Sequence, residues 1–380
     1  MRILWIPFTP WSSTGWDGSR HFHLLRHLEG HDIHVMAWDR ARLFSDPPPA
    51  PPRHLPSWVT THRACVLPRY WSLWRKGYPT CWDPCLNEWL LGAQLKLLSA
   101  RLRPDLIVLT STHYATGFVP LPAGIPVVLD HVDEMPDWVA KQYFARADAI
   151  AAVSPALVRN ASACHPNVRL IENGVDVERY SPDKREAAKR ELGLEGKVVV
   201  SLIGLTCSSR LYFLDAFEEF SKQVPNAVLL LVGDCKFRDR VEGRPADIRI
   251  AGHVPYDRAA SYFNATDIGL YPGDDIPYFR EAHPLKIVEY AAAGCQVVIS
   301  PVDAFAEGWP NVRTCEPSAA AFTQGMLEVL KAPQKAPDVS SLAWAAKARQ
   351  FKQMLAMTHS VSTSRNSLLE SVAPMHQTLG

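Results

Sequence analysis

The chain has 380 residues, the length of about two and a half average domains, and its 40 Lys and Arg side chains nearly balance its 39 Asp and Glu, for a net charge of +1. That balance argues against a strongly basic nucleic-acid-binding surface and against an acidic tail. Because 47% of the residues are hydrophobic and 21% are charged, the chain can form sizeable cores, and global disorder is excluded.

Strands and helices alternate along the first half. Apolar residues 3–8, a glycine-containing loop, an amphipathic helix ending near Gly30 and a strand at 33–38 predict a βαβ unit and hence a parallel sheet. The proline-rich segment 46–56 predicts a surface loop. Beyond it, a helix is predicted at 87–102, and further strands at 106–109, 127–129, 149–153 and 168–171.

A second alternating series follows the charged segment 183–197. Its predicted helix covers 211–220, and its predicted strands are Val198–Ile203, Ala227–Val232, 248–251, Ile268–Tyr271 and 297–299. Each half therefore predicts a doubly wound α/β sheet, with the joint near 165–185. We assign a first domain to 1–170, a second to 171–340, a returning helix to 341–358, and a flexible Ser- and Thr-rich tail to 359–380.

Cysteine content and hydropathy bear on the compartment. Eight cysteines are too few for a disulfide scaffold, and the Cys81–Cys85 spacing suits neither a redox motif nor a zinc site. No apolar run approaches the ~20 residues that span a bilayer. The N-terminal MRILWIPF indicates a buried strand rather than a signal peptide, so a cytoplasmic chain is expected.

The segment 281–300, EAHPLKIVEYAAAGCQVVIS, carries the most chemical information. Pro284 suits a helix start and Gly294 a helix end, and the free N–H groups of a helix start attract anions. Lys286 in the first turn is unfavourable for the helix alone, but a phosphate would offset that cost. Glu289, on the same face, suits a sugar hydroxyl, and Glu281 lies eight positions before it. An ordinary surface helix with an i,i+3 Lys–Glu pair is the alternative.

This segment resembles glycosyltransferase family 4 of the GT-B nucleotide-sugar glycosyltransferases. The family has two glutamates separated by seven residues and a P-L-K-x-x-E-Y-x-A-x-G-x-P-V-V-like run, in which Gln296 replaces the usual proline here. Segments 15–35, 147–157 and 172–182 are similar to further family motifs in the same order. The predicted joint falls where that family changes domain.

The resemblance implies a GT-B fold, with two Rossmann-like doubly wound parallel-sheet domains, an interdomain cleft and a last helix that packs back across the joint. The first domain would bind the acceptor and the second the donor. Glu289 would bind the ribose, and Glu281 would contact the donor sugar as a catalytic residue. Lys286 and the helix start at Pro284 and Leu285 would hold the diphosphate. No metal and no other cofactor would be required.

One departure concerns the phosphate-binding cations. The family has an Arg directly after a strand–Gly ending and a Lys five residues later. Here Leu205 follows Gly204, and Arg210 stands at the second position. Arg210 can bind phosphate bidentately, so it is a donor-binding candidate. The alternative is a solvated residue at a helix start.

The first domain would supply the remaining site residues. Gly15 permits close approach of a phosphate or an acceptor. The family's histidine facing the donor sugar corresponds to His131, a catalytic candidate, and His113 is a second candidate. Asp130 and Asp133 resemble an acidic run and are candidates for acceptor or sugar contacts. A structural role is equally open for each histidine, and no metal is expected although these residue types are metal ligands.

Two interpretations remain for the Trp-rich segment 58–89: a peripheral membrane or acceptor surface, or packing of the tryptophans into the first core. The leading functional hypothesis is a retaining, hexosyltransferase-type, metal-independent enzyme. It would transfer a sugar from a UDP- or GDP-sugar to a hydroxyl on a saccharide, a lipid-linked glycan or a small molecule. The alternative is a nucleotide-sugar-binding GT-B protein with epimerase-like or no activity, which Leu205 favours. A dinucleotide-type G-x-G-x-x-G, as in dehydrogenases, does not follow any predicted strand.

Overall fold

The computed structural model describes residues 1–7, 19–38, 55–64, 82–111, 121–204 and 210–372. The chain forms two compact units. The first unit comprises Met1–Ile171 and Lys347–Gly380, and the second comprises Glu172–Ala346. The second unit is thus continuous in sequence, whereas the first is completed by the end of the chain.

The described strands of the first unit form one parallel sheet of seven, in the order β3-β2-β1-β4-β5-β6-β7. These strands are β1 (Arg2–Ile6), β2 (Asp32–Trp38), β3 (Val59–Ala64), β4 (Leu106–Ser111), β5 (Val127–His131), β6 (Ala149–Ala152) and β7 (Val168–Leu170). The helices are α1 (Arg20–Arg26), α2 (Trp82–Leu102), α3 (Asp137–Phe144), α4 (Pro155–Ser162) and, later in the chain, α11 (Trp344–Val372).

The second unit has a parallel sheet of six described strands, in the order β10-β9-β8-β11-β12-β13. Its strands are β8 (Val198–Ile203), β9 (Ala227–Val232), β10 (Ile248–Gly252), β11 (Ile268–Tyr271), β12 (Gln296–Ile299) and β13 (Val312–Thr314). Its helices are α5 (Arg185–Glu191), α6 (Tyr212–Gln223), α7 (Tyr256–Asn264), α8 (Pro277–Arg280), α9 (Leu285–Ala292) and α10 (Ala319–Lys331).

Both sheets are covered on both faces, as the continuous apolar runs of their strands require. In the second unit, Phe213, Phe217 and Phe220 of α6 pack on one face, and Ile287 and Tyr290 of α9 pack on the other. The prediction of two doubly wound parallel-sheet domains is therefore confirmed. The predicted bounds of β8, β9 and β11 match the observed ones.

Helix α11 packs into the core of the first unit. Trp5 of β1 is fully buried and stacks on Phe351 of α11, with ring centroids 5.4 Å apart. The sequence predicts that this helix ends at 358 and that a flexible tail follows. The structure instead continues α11 to Val372. The hydroxyls of Ser360 and Thr363 donate to carbonyl oxygens four residues earlier, at 3.0 and 2.9 Å, so these polar residues are accommodated inside the helix.

Two strands were missed by the sequence analysis. β3 and β13 are outer strands of their sheets. Their sequences, VTTHRA and VRT, contain few apolar residues and no continuous apolar run. Helix α1 also ends at Arg26, earlier than predicted, and Gly30 with φ +85° forms the turn before β2. Most of the proline-rich segment 46–56 lies outside the described residues.

Candidate functional site

The strand order of the second unit places a crevice-forming switch point between β8 and β11. The chain runs outward from β8 through β9 to β10 and then crosses back to β11, so the loops after β8 and β11 leave in opposite directions. Ligands of open α/β sheets bind at the carboxyl ends of strands at such a point. The residues around the ends of β8 and β11 are therefore the first place to look for a site.

Two glycines bring backbone segments together at this edge. Gly204 follows β8 with φ +107°, and Gly233 follows β9 with φ +125°, a region that only glycine enters without strain. A Cβ added to Gly233 would lie 2.1 Å from the Gly204 carbonyl oxygen. A Cβ added to Gly204 would lie 2.9 Å from Lys286 Nζ. The absence of side chains at both positions thus allows the lysine ammonium to reach the end of β8.

Lys286 lies in the first turn of α9, whose cap residue is Pro284 and whose first residue is Leu285. The helix therefore begins one residue later than predicted. Burial, together with the nearby positive charge of Arg210, lowers the pKa of Lys286 to about 8, although Glu289 acts in the opposite direction. A cation at a helix start, next to a second cation, is a costly arrangement that a bound anion would relieve.

Arg210 lies just before α6, and its guanidinium is held from two sides. Its Nε donates to Asp274 Oδ2 at 2.9 Å, and its Cζ lies 4.0 Å from the centre of the Phe279 ring. Asp274 is about half exposed, at 46%, so solvent or a ligand can compete for this pair. We call Arg210, Lys286 and Glu289 the switch-point cluster.

Glu289 lies one turn after Lys286 on α9. The Tyr180 hydroxyl donates to Glu289 Oε1 at 2.8 Å. Burial raises the pKa of Glu289, while the Tyr180 hydrogen bond and the charges of Lys286 and Arg179 hold that increase down. Glu289 therefore presents a partly buried carboxylate with one oxygen already hydrogen-bonded, and a carboxylate in this state can accept hydrogen bonds from sugar hydroxyls.

Glu281 lies at the end of the short helix α8, where its backbone N–H donates to the Pro277 carbonyl at 2.8 Å. The loop from Glu281 to the start of α9 is fixed by the segment at the beginning of the second unit. Asn173 Nδ2 donates to the His283 carbonyl at 2.6 Å, and a Cβ on Gly174 would lie 2.7 Å from the Trp344 ring. The ENG sequence 172–174 thus positions the loop that carries Glu281.

The comparable edge of the first unit contains a buried ion pair. Arg20 Nε lies 3.0 and 3.2 Å from the two carboxylate oxygens of Asp130, and the two side chains are 5% and 0% exposed. Burial raises the pKa of Asp130, and the charge and hydrogen bond of Arg20 oppose that rise. The structure therefore gives the Asp130 carboxylate a protein partner.

His131 follows Asp130 at the end of β5. Its ring contacts Phe144 edge to face, with centroids 5.4 Å apart, and burial lowers its pKa to about 4. It is consequently a neutral imidazole at pH 7. Burial, reinforced by Glu134, raises the pKa of Asp133 to about 6. Within the part of the chain that is described, no group of three or more His, Cys, Asp and Glu side chains could hold a metal ion.

Several predicted positions lie outside the described residues: Gly15, His113 and Leu205. The Trp-rich segment is described in part. The Trp58 indole donates to the Leu25 carbonyl at 3.1 Å, whereas Trp89 is 64% exposed. Among the helices that can be described, none has the length and hydropathy needed to cross a bilayer.

The structure brings Arg210 together with Lys286 and Glu289 of α9, from two places in the sequence. Three residues near the candidate sites were not predicted from the sequence. Tyr180 contacts Glu289, Asp274 contacts Arg210, and Arg20 pairs with Asp130 in the first unit. Tyr180 lies within the segment 172–182 that carried the family resemblance, so its motif gave a usable signal. Asp274 and Arg20 gave none, because an acidic loop residue and a basic helix start are common on any surface.

Known proteins match both the second unit and the whole fold. Residues 202–332, which include the switch-point cluster, match the family model described as glycosyl transferases group 1. The fold as a whole matches sucrose-phosphate synthase of Thermosynechococcus elongatus, with a TM-score of 0.71, 17% identity, and 95% of this chain and 99% of that chain covered. The chain has the GT-B fold. The predicted resemblance to GT-B glycosyltransferases is thereby confirmed.

Two further relatives extend the comparison. HepE of Anabaena, whose structure contains UDP-glucose, matches with a TM-score of 0.59 and 15% identity over 97% of this chain and 99% of that one. TuaH of Bacillus subtilis, provisionally assigned as a teichuronic acid biosynthesis glycosyltransferase, is 30% identical over 164 residues. That sequence match spans 40% of this chain and 40% of the length of TuaH.

Proposed function

We propose that this GT-B chain is a retaining hexosyltransferase that moves a sugar from a nucleoside-diphosphate sugar to a hydroxyl acceptor without a metal ion. The observation that carries the proposal is the position of Lys286 Nζ, which packs against Gly204 at the end of β8. Arg210 and Glu289 lie close enough to Lys286 to shift its pKa. Two cations and a carboxylate at a switch point fit a diphosphate joined to a ribose.

The chemistry assigned to these residues is electrostatic. When the bond from the sugar's anomeric carbon to the diphosphate breaks, the electron pair remains on the diphosphate. The acceptor oxygen forms the new bond to that carbon, and the hydroxyl proton passes to an oxygen of the departing diphosphate. Lys286, Arg210 and the N–H groups at the start of α9 would stabilise that negative charge. Glu289 would hold the ribose hydroxyls, and Glu281 would contact the donor sugar. His131 would contribute as a neutral hydrogen-bonding group.

The donor to test first is a UDP-sugar, because HepE of Anabaena is seen with UDP-glucose. Calorimetric titration with UDP, GDP, ADP and TDP, each in Mg²⁺ and again in EDTA, tests the proposal directly. We expect one nucleotide to bind selectively and with the same affinity in both conditions. Binding that requires Mg²⁺ would contradict metal independence, and no binding by any nucleotide would remove the donor-site assignment.

The two glutamates are expected to act at different stages. Glu289→Ala should weaken UDP binding by about 10- to 100-fold, the worth of a hydrogen bond to a charged group. Glu281→Ala should reduce kcat more than affinity, because the donor sugar rather than the nucleotide contacts it. Donor hydrolysis or transfer kinetics measure both effects. Glu219→Ala, which removes an exposed carboxylate on α6, is the matched control.

Wild-type kinetics in both glutamate variants would contradict the site. Retention is tested separately, by NMR of the anomeric configuration of the product. An inverted product would leave the donor site standing and overturn the stereochemical part of the proposal.

A non-catalytic nucleotide-sugar-binding protein is the second candidate. Leu205 occupies the position where the family has its first phosphate-binding Arg, and Asp274 engages the remaining Arg210. Selective nucleotide binding without hydrolysis or transfer of any UDP- or GDP-sugar would favour this candidate. Restoration of turnover by Leu205→Arg would identify the missing cation as the cause.

A further inference from the structure

The contact between Tyr180 and Glu289 joins two residues that are 109 positions apart in the sequence. The Tyr180 side chain is 3% exposed, and its ring meets Phe263 edge to face with centroids 5.5 Å apart. Burial and the adjacent carboxylate raise the pKa of Tyr180, so its hydroxyl keeps its proton and acts as the donor. A fixed ring therefore delivers one O–H to one carboxylate oxygen.

The hydrogen bond from Tyr180 limits the directions in which the Glu289 carboxylate can accept hydrogen bonds from a ligand. An ionised carboxylate has two oxygens and accepts about four hydrogen bonds, and without a protein donor it can rotate about its last torsion. The Tyr180 hydroxyl occupies one position on Oε1 and favours the ionised form against the cost of burial. The remaining lone pairs, chiefly those of Oε2, then point in a defined direction.

We propose that Tyr180 is a positioning residue that orients Glu289 for the two ribose hydroxyls and so sets the preference of the site for ribonucleotides. The inference rests on the proposed donor site. It goes further by assigning the sugar selectivity of the nucleotide to a residue that does not touch the nucleotide. A ligand without these hydroxyls would leave the partly buried carboxylate with unsatisfied acceptors, which is how polar sites reject such analogues.

The experiment compares UDP with 2′,3′-dideoxy-UDP by calorimetry, in the wild type and in Tyr180→Phe. The Phe variant keeps the ring and its packing on Phe263 and removes only the hydroxyl. We expect the wild type to prefer UDP by on the order of 100-fold. In Tyr180→Phe that ratio should fall at least about fivefold, because UDP loses affinity while the dideoxy analogue binds nearly as before.

Tyr290→Phe is the matched control. Tyr290 is the next residue on α9, it is fully buried, and its hydroxyl bonds the backbone of β8 rather than Glu289. Its removal should lower the melting temperature and leave the ratio of the two affinities at the wild-type value. A ratio in Tyr180→Phe that stays unchanged or rises would overturn the inference, since the tyrosine would then serve only the packing.

The two proposals fail in different ways in this experiment. If the wild type binds no nucleoside diphosphate, or binds UDP and the dideoxy analogue equally, the assignment of Glu289 to the ribose is wrong. If the wild type discriminates but Tyr180→Phe discriminates equally well, the donor site stands and only the role of Tyr180 is wrong. Melting curves of all three proteins confirm that each is folded.

Discussion

Each unit has charged residues at the carboxyl edge of its parallel sheet, but the charges are balanced differently in the two units. At the end of β5, Arg20 and Asp130 form an ion pair that is almost completely buried. At the end of β8, Lys286 and Arg210 lie beside each other with Asp274 about half exposed and Glu289 bonded to Tyr180. The first arrangement sets one cation against a fully buried carboxylate, whereas the second has two adjacent cations and can still accept an anion.

The difference shows that a charged pair at a strand end is not by itself evidence of a ligand site. A buried cation that faces a buried carboxylate has its counter-charge within the protein, whereas two adjacent cations with a half-exposed carboxylate partner favour a bound anion. The positive charge of Arg210 beside Lys286, which adds to the effect of burial in lowering the pKa of Lys286, is the physical mark of the second case. Three experiments test the contrast, two by substitution and one by pH.

The largest expected effect is on the stability of the first unit. Asp130→Ala leaves the Arg20 guanidinium buried without its carboxylate and should lower the free energy of unfolding by about 3–5 kcal/mol. Urea denaturation measures this change. The double variant Arg20→Met/Asp130→Leu removes both charges and should recover most of the loss.

Asp32→Asn provides the comparison with an exposed pair. It breaks the ion pair with Arg2, whose members are 45% and 49% exposed, and should cost at most about 1 kcal/mol. If Asp130→Ala lowered the free energy of unfolding no more than Asp32→Asn does, the buried Arg20–Asp130 pair would not be important for the stability of the first unit.

The next effect concerns ligand binding rather than stability. Lys286→Met removes the cation from the end of β8 and should weaken UDP binding by about 10- to 100-fold, the worth of charge-assisted hydrogen bonds to phosphate. Its stability should not fall, because a poorly solvated charge is removed. Calorimetry and thermal melts measure the two properties. Lys352→Met, which deletes an exposed lysine of the first unit that donates to the Glu29 carbonyl, should change neither.

The smallest effect is a pH dependence. In the proposed donor site the ammonium form of Lys286 would bind the diphosphate, and with a pKa of about 8 the unliganded protein loses that form as the pH rises through 8. UDP affinity should therefore decrease between pH 7.5 and 9.5, by no more than about tenfold per pH unit. The terminal phosphate of UDP is already fully ionised in that range. Lys286→Arg keeps its charge and should bind independently of pH, and a wild type that also does so would contradict the assignment.

The fold was predictable because its central strands are continuous apolar runs. Val198–Ile203 and Ala227–Val232 are buried on both faces and are each followed directly by a glycine, so the sequence indicates both the strands and where they end. The outer strand β3 has polar residues at most positions and offered no such pattern. The helical continuation of α11 was unpredictable for another reason: its hydroxyls bond within the helix, and composition alone does not show that.

The candidate site was predictable only in its local part. Lys286 and Glu289 share one helix turn, so their common face follows from spacing. The tyrosine that holds Glu289 comes from another segment, and Asp274 reaches Arg210 across 64 positions. Such contacts depend on the packed tertiary structure, and the sequence carries no periodic signal for them. Glu281 and His131 retain their predicted roles as hypotheses for the kinetic experiments.

The close approach of Gly233 to the Gly204 carbonyl limits how this protein can be redesigned. At 2.1 Å, even a methyl group on Gly233 would overlap the backbone of its neighbour, so saturation libraries at this position should yield almost no folded members. Attempts to change the nucleotide preference by directed evolution would therefore gain little from this edge. Exposed side chains near this edge, such as Asp274, are better positions for substitution, because new groups can be introduced there without moving the main chain.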